Sequence, residues 1–571
     1  MKHQRWIGAT AAFGALALVL SACAAGGGDG GDGSGGEEPT EIVGADYNPQ
    51  ERDALEQGGE VTWPISEITP QQNGFHADAT VDTQTLQAWF TPQVILAEPE
   101  GGAVLNPNYI EDRVVDEVDG KTVVTYTINP DAVWNDGTPI DWTAFENTWI
   151  ANRSYEEGYN PSSTDGYDVI ESVAAGEDDK QVVVTFSQVY PWTDFMFSGL
   201  LHPAVDSPEV FNEGFIDDPH AEWGAGPYTI DTFDANGGTV TFVPNENWWG
   251  DEPLLDKVTF RQLDDTAEIN AFRNGEIDLA VTNTEDRLSQ VSDMEGIEIY
   301  RAQRTSNNLL EINAEREQFA DVAVREAIFK AIDREQIKEV VWNGLNYTEE
   351  DAGSFNMYPF EEGYVDALSE AGWSFDVDEA NAILDEAGWV AGDDGIREKD
   401  GLRLEGRLPT FGDDPVVEAR ARVIQTQLAE IGVELTIDAR PVSDFSTVLT
   451  TKDWDLVMLS FVSGSASGVQ FMCQIYCTDS SLNLSATGTP EIDERIAEVN
   501  ALPTKEEQNE AGMALESEIM AETWGILPLY SGPWINAVTS GIANLTPEGY
   551  TGLDLYGVQP VENQGWMASA E

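Results

Sequence analysis

The stretch Phe319-Ala320-Asp321-Val322-Ala323-Val324-Arg325-Glu326-Ala327, running on to Ala331-Ile332-Asp333-Arg334, has the period of a helix. Asp321 offers a side-chain oxygen suited to the free N–H groups of a first turn, and the spacing predicts a helix from there to about Val341. Val324, Ala327, Ile328, Ala331 and Ile332 then form one apolar face, which must be buried against another layer. The pattern recurs on either side of this stretch. Asp376, with Glu379 three residues on in a capping-box-like spacing, opens a helix with Ala380, Ile383, Leu384 and Ala387 inward and Gly388 as its end. Another is expected from Pro415 to Ile431, with Ala419, Val423 and Leu428 inward and Gly432 as the stop, before the alternating strand Val433 to Ile437. Upstream, Thr266 to Asn274 reads as a helix closed by Gly275, with Ile277 to Val281 as the following strand. Short strands are expected at Gly59 to Ile65, Val123 to Ile128, Val182 to Phe186 and Thr239 to Val243, with Asp119-Gly120 and Asn236-Gly237-Gly238 as turns. Helices alternating with short strands imply an α/β fold, and no internal repeat is visible.

The 571 residues suffice for more than one domain. Lys plus Arg total 28 against 104 Asp plus Glu, and the formal net charge of −76 repels phosphate backbones, which excludes nucleic acid as a partner. The acidity suits solubility in salty surroundings as readily as it suits cationic ligands. Of the 17 Trp, most are expected in cores, with some lining a cavity as flat contact surfaces. Catalytic signatures are missing. There is no H-E-x-x-H and no G-x-S-x-G, Ser465 and Ser467 lack nucleophile-elbow spacing, and Gly120-Lys121-Thr122 lacks the upstream glycine of a phosphate loop. Few histidines remain after His3 (His76, His202 and His220), so no metal or cofactor is expected and the chain reads as a binding protein, not an enzyme.

The N-terminus reads as an export segment. Lys2 and Arg5 precede the uncharged apolar run Ile7 to Leu20, too short for the ~20 residues that span a bilayer. Leu20-Ser21-Ala22-Cys23 resembles the lipobox of bacterial lipoproteins, which implies a signal peptide over 1–22 and acyl chains on Cys23. The glycine-rich run Ala24 to Gly36 cannot bury a core, and 23–57 is expected to be a flexible tether with a reach of roughly 30 Å. The protein is therefore expected on the outer face of the cell membrane, held by lipid. Cys473 and Cys477 can pair in an oxidising compartment. Residues four apart on a regular helix place Cβ atoms ~5–6 Å apart, beyond disulfide reach, so pairing implies a loop or distorted turn over Phe471 to Thr478. A zinc pair is the other reading, with no His nearby.

Several segments together resemble the extracellular solute-binding proteins of family 5, the oligopeptide- and dipeptide-binding group. They are Trp134-Asn135-Asp136-Gly137-Thr138-Pro139, Gly224-Ala225-Gly226-Pro227-Tyr228, Asn245-Glu246-Asn247-Trp248-Trp249-Gly250, Phe272 to Asp278, the opening Phe319 stretch, Asp376 to Trp389, Asp453-Trp454-Asp455 and Pro528-Leu529-Tyr530. All occur in the family's order.

The resemblance implies a two-lobed periplasmic-binding-protein-like α/β fold, with an inserted subdomain and a cleft between lobes joined by two crossing strands. Lobe I is expected at 58–85, 200–305 and 526–571, its inserted subdomain at 86–199, and lobe II at 306–525. The crossings are expected near Arg304 to Asn313 and Gly525 to Ser531. It also implies a monomer that captures a peptide or similar-sized solute, closes by a hinge, and delivers it to the permease subunits of an ABC importer with a cytoplasmic ATPase. Position in the family pattern nominates Gln71, Asn73 and Phe75, hinge residues Asn307 and Asn308, then Ser460, Phe461, Val462 and Ser463, and on the return Tyr530 and Trp534 as ligand contacts. Two departures bear on the ligand. Gly464 stands where peptide-binding members place an Asp for the ligand's amino terminus, and Met458 stands for a basic residue. A glycan- or glycolipid-binding, envelope-regulatory lipoprotein reusing this fold is the alternative.

Overall fold

Strict alternation sets the first sheet. In β1 (Glu60–Ile65) Val61, Trp63 and Ile65 are buried while Glu60 is exposed, the period-two pattern of a strand with one wet face. β1 lies parallel to strand Lys257–Gln262, which continues through Thr239–Pro244 to Tyr228–Asp234. The computed structural model describes residues 40–41, 48–97, 103–359, 361, 363–412, 414–441, 444–462, 468–478, 480, 482–545 and 560–568. Helix α1 (Val81–Gln87), capped by the Thr80 side chain on Thr83 N–H, follows β1 across a long loop. A second four-stranded antiparallel sheet, in the order Ile110–Val118, Lys121–Ile128, Gln181–Phe186, Ile170–Ala175, has its own core around Trp134, Tyr126, Phe145 and Phe197.

Two passages connect this half of the chain to the other. β2 (Ile297–Gln303) belongs to a three-stranded sheet on the first side, and β3 (Ser306–Ile312) is the central strand of a three-stranded sheet on the second. Only Arg304 and Thr305 separate them. The second lobe continues with α2 (Val322–Lys330), α3 (Arg334–Val341), α4 (Pro415–Ala429), β4 (Leu456–Val462) and α5 (Lys505–Thr523). β5 (Ile526–Tyr530) and β4 flank β3, and after Ser531 and Gly532 the chain returns as β6 (Pro533–Thr539), which pairs with β2. Each lobe thus has its own core, and two short peptide passages cross between them.

Two expectations change. The single helix foreseen from Asp321 to Val341 is two helices. Asp321 caps α2 as read, but the Asp333 carboxylate takes the Gln336 N–H and starts α3 anew, so Ala331 to Asp333 turn a corner. A residue that favours an N-cap inside an otherwise periodic run competes with the helix. Val324, Ala327, Ile328, Ala331 and Ile332 are nevertheless all buried.

Residues 48–57, expected in the tether, are fixed to the first lobe. Arg52 donates to the Glu562 carbonyl and to Asn563 Oδ1, Asn48 Nδ2 donates to the Ile542 carbonyl, and Leu55 is buried in a strand paired with Gly565–Met567.

Cys473 and Cys477 form a disulfide with Cα atoms 4.7 Å apart. Of the loop or distorted turn expected if they pair, the segment is the distorted turn: a single helical turn, Met472–Tyr476, broken at its end. Cys477 is its C-cap in extended conformation, and that departure from helical geometry brings the sulfurs together. Cys23, the export segment and the glycine run lie outside the described residues. Among the described residues no helix is long and apolar enough to cross a membrane, and no cluster of three or more His, Cys, Asp or Glu is arranged to hold a metal.

Candidate ligand-binding site

The register of three strands gathers most of the nominated residues. Asn308 stands opposite Ser460 on β4 and Tyr530 on β5, and in the next row Asn307 stands opposite Phe461. β4 and β5 both run antiparallel to β3, so their carboxyl ends meet the amino end of β3 where the chain leaves for the first lobe. That is the end at which α/β sheets hold ligands. Helix α4 begins at the same end, just past strand Glu405–Phe411.

On one side of this row Tyr530 and Asn308 meet Arg420, which comes from the second turn of α4. Arg420 Nη1 donates to Tyr530 Oη at 2.5 Å and to Asn308 Oδ1 at 3.4 Å. Burial raises the Tyr530 phenol while Arg420 pulls it back. Trp342 meets the Tyr530 ring edge-on at 5.8 Å. In the other row the Asn307 amide donates to the Phe355 carbonyl at 2.7 Å, and Phe355 meets Phe461 edge-on at 5.7 Å. Ser460 is exposed. Only the backbone of Val462 is described, and Ser463 and Gly464 fall outside the described residues.

The passage itself is fixed by one carboxylate. Glu349 Oε1 accepts the Ser531 N–H at 2.7 Å, and its Oε2 accepts the Gly532 N–H at 2.8 Å and the Tyr347 hydroxyl at 2.5 Å. Burial raises the Glu349 carboxyl, and these three donors act against that. The Ser531 carbonyl accepts from Ser306 Oγ and Asn308 Nδ2, and the Gly532 carbonyl accepts the Arg304 N–H, which ties the two passages together. Gly532 has φ +96°, a conformation that suits glycine.

Trp534, just beyond the passage, lies under the Arg304 guanidinium at 4.8 Å and lines a cavity of about 440 Å³ in the first lobe. Trp63, Trp89, Trp248, Tyr109 and Phe260 also line it, with Glu268 and Arg287 paired at 2.7 Å and Glu562, whose carboxyl burial pushes up to about 7, as polar groups. A cavity of this volume with aromatic walls and polar side chains among them, Asp82, Gln93, Asn106, Asn283 and Gln564 included, is a form that small-molecule sites take. So some of the many tryptophans do line a cavity, as Trp134 and Trp454 fill cores.

The loop after β1 is placed differently from the expectation. Gln71 and Asn73 are buried and use their amides on their own lobe: Gln71 Nε2 donates to the Asn212 carbonyl, its Oε1 accepts the Asn73 N–H, and Asn73 Nδ2 donates to the Phe211 carbonyl. Phe75 lines a separate cavity of about 140 Å³ with Gln87, Leu201 and His202. None of the three joins the row at the crossing. His76, in the same loop, is buried with Nδ1 accepting the Asp78 N–H, as a structural histidine does.

The two lobes also touch away from the passages. Trp192 Nε1 donates to Gln508 Oε1 at 2.7 Å in a buried contact, and Lys505 bonds to Asp194, which Arg113 holds at 2.6 Å. Burial pushes the Asp194 carboxyl up, but Lys505 and Arg113 outweigh it and hold it below the ordinary range.

A two-lobed α/β body with paired crossings, a polar–aromatic row beside them and the chain-wide landmarks agrees with what sequence comparison finds. Residues 101–483 match the family model for bacterial extracellular solute-binding proteins, family 5 (middle). The chain belongs to that family. This family 5 protein is 31% identical over 547 residues to the oligopeptide-binding protein OppA of Mycobacterium tuberculosis, covering 94% of this chain and 91% of the relative. Among solved structures it resembles a periplasmic EDTA-binding protein, EppA, with a TM-score of 0.81, 25% identity, and coverage of 92% and 98% of the two chains. It also shares its fold with the oligopeptide-binding protein AppA of Bacillus subtilis in complex with a nonapeptide, with a TM-score of 0.70, 20% identity, and coverage of 90% and 100%.

Arg420, Glu349 and Tyr347 escaped sequence reading because each lies on a different element from the nominated strands. Nothing in the local pattern of α4 distinguishes Arg420 from Arg422, two residues on, which pairs with Glu418 on the surface.

Proposed function

We propose that this family 5 protein is the extracytoplasmic receptor of an ABC importer, capturing peptides or solutes of similar size between its lobes and handing them to a membrane permease. The observation that supports this most is the row Asn308, Ser460 and Tyr530 at the sheet end where both chain passages leave the second lobe. A hinge there swings the row against the first lobe, and closure around a ligand excludes water from it. The aromatic cavity behind Trp534 suits an apolar part of the same ligand. The identity to the mycobacterial oligopeptide-binding protein over most of both chains supports peptide uptake above the envelope-regulatory alternative. The lobes are assigned as 58–85, 200–305 and 526–571, with 86–199 inserted, against 306–525. Residues 48–57 are added to the first lobe. The protein acts as a monomer without catalysis or a cofactor, and acylated Cys23 holds it to the outer face of the membrane.

Native mass spectrometry of residues 48–571, purified without denaturation, tests the reading. Adducts differing by amino-acid masses establish peptide capture, and they would do so despite Gly464. A hexose-spaced or lipid-like adduct, or a bare mass with no thermal shift on a peptide panel, would overturn it.

A further inference from the structure

We infer that Trp192 is a built-in closing latch: it docks into a socket on the second lobe, and the docking holds the lobes together without ligand. This goes beyond solute capture and gives the segment assigned as the inserted subdomain a task of its own.

Trp192 stands in the loop after strand Gln181–Phe186, between neighbours anchored on their own side. The Tyr190 N–H donates to Thr122 Oγ1 at 2.9 Å, and the Tyr190 ring stacks on Phe186 at 5.0 Å. On the far side Arg113 Nη2 donates to Thr193 Oγ1 at 3.0 Å and holds Asp194 at 2.6 Å. The indole between them does not join the core of its own subdomain. It is 6% exposed, and it belongs to the core of the second lobe, with Val469 and Met513. A large flat side chain on a fixed base loses little freedom when it docks.

The second lobe supplies a matching socket. Gln508, in the first turn of α5, is buried, and its Nε2 donates to the Asn500 carbonyl at 3.1 Å and the Leu502 carbonyl at 2.7 Å. Those bonds fix the amide and leave Oε1 to accept from Trp192 Nε1 at 2.7 Å. The Lys505 ammonium lies 5.3 Å from the centre of the Trp192 ring and also bonds Asp194. Gly468 completes the socket: a Cβ there would come within 2.9 Å of the Trp192 ring, so a side chain would crowd the indole out. Gly468 lies six residues beyond the end of β4, which carries Ser460. Gln474, in the turn closed by the disulfide, adds a bond of 3.0 Å to Asp165 across the same gap.

This contact is a bridge between the lobes separate from the two chain passages. A buried Trp and a hydrogen bond shut off from water favour the closed form whether or not a solute lies inside. A solute then enters and leaves only through the minor open form.

X-ray scattering of ligand-free residues 48–571 tests the latch. The wild type is expected to have the radius of gyration of this structure, with Trp192 docked. Trp192→Ala should lower the closed-to-open ratio roughly 10- to 100-fold, read as a larger radius. Trp192→Phe, which keeps an apolar knob without the N–H, should fall between them, and circular dichroism checks that both variants fold. Rates with a random pentapeptide library give a second readout. Loss of a latch shared by the empty and the filled closed form should speed uptake and release alike, by about 10-fold each, and change equilibrium capture less, whereas loss of a ligand contact speeds release alone. An open wild type, an unchanged radius in Trp192→Ala, or faster release without faster uptake overturns the latch and leaves solute capture standing. A library that is not captured at all overturns peptide uptake, and the latch then stands or falls on the scattering.

Discussion

Replacing Glu311 by glutamine should make the protein more stable at neutral pH, by an amount that grows with pH. Glu311 sits in the middle of β3, the central strand of its sheet, opposite Val457 and Ile526, and is fully buried. Among the described residues neither carboxyl oxygen has a hydrogen-bond donor in bonding geometry. Burial pushes the carboxyl from 4.5 up to about 8, against a weaker opposing pull from the Ser485 backbone. A folded-state value above the unfolded one means that the folded chain holds the proton and the unfolded chain releases it. Stability is therefore full below pH 4.5 and declines as pH rises towards 8. At ~1.4 kcal/mol per unit, the loss is about 3 kcal/mol between pH 4.5 and 7 and about 5 kcal/mol by pH 9. Glutamine keeps the shape and does not titrate. The assay is urea unfolding of wild type and Glu311→Gln at pH 5, 6, 7 and 8, read by tryptophan fluorescence. Taking the difference between the two removes the titration of the other acids, buried Glu516 included. The advantage of the variant should rise by more than 1 kcal/mol per pH unit between pH 5 and 7 and more slowly towards pH 8, where the folded carboxyl itself ionises. A difference that stays flat, within about 0.5 kcal/mol, would refute the claim that Glu311 is carried as a neutral acid.

Two further outcomes follow from contacts described above. A chain starting at residue 58 lacks Leu55 and the Arg52 bonds that one starting at residue 48 keeps, and should be less stable than it by about 3 kcal/mol, seen as a calorimetric shift on the order of 5 °C. Lys505→Ala should shift the ligand-free protein towards an open form, measured as a larger radius of gyration by X-ray scattering. A double-mutant cycle with Asp194→Ala should give a coupling of ~0.5–1 kcal/mol, modest because both side chains are partly exposed. An unchanged radius in Lys505→Ala would mean that the contact does not hold the lobes together.

Most elements were legible because their cause is local. Asp321 and Asp376 cap helices through the side-chain bonds that their spacing suggested, and the strands follow period-two burial. Asp333 shows where local reading stops. Whether a capping residue inside a periodic run breaks the helix depends on what the following turn packs against, and here α3 turns off to pack on α4 and β5. Similarly, Gln71 and Asn73 have the residue types of ligand contacts, but only the placement of Phe211 and Asn212 beside them shows that their amides are already bonded.

The sequence by itself determined the α/β class and the family, because each is written in period or in an ordered set of landmarks. Tertiary structure alone decided which residues share the site. Strand register put Asn308 opposite both Ser460 and Tyr530, though these residues stand more than 150 and 200 positions further along the chain. Helix packing brought Arg420 onto that row, and a loop placed Glu349 under the peptide between β5 and β6. Hydrogen bonds and ion pairs act over a few ångströms, and only the folded chain sets which distant residues come that close.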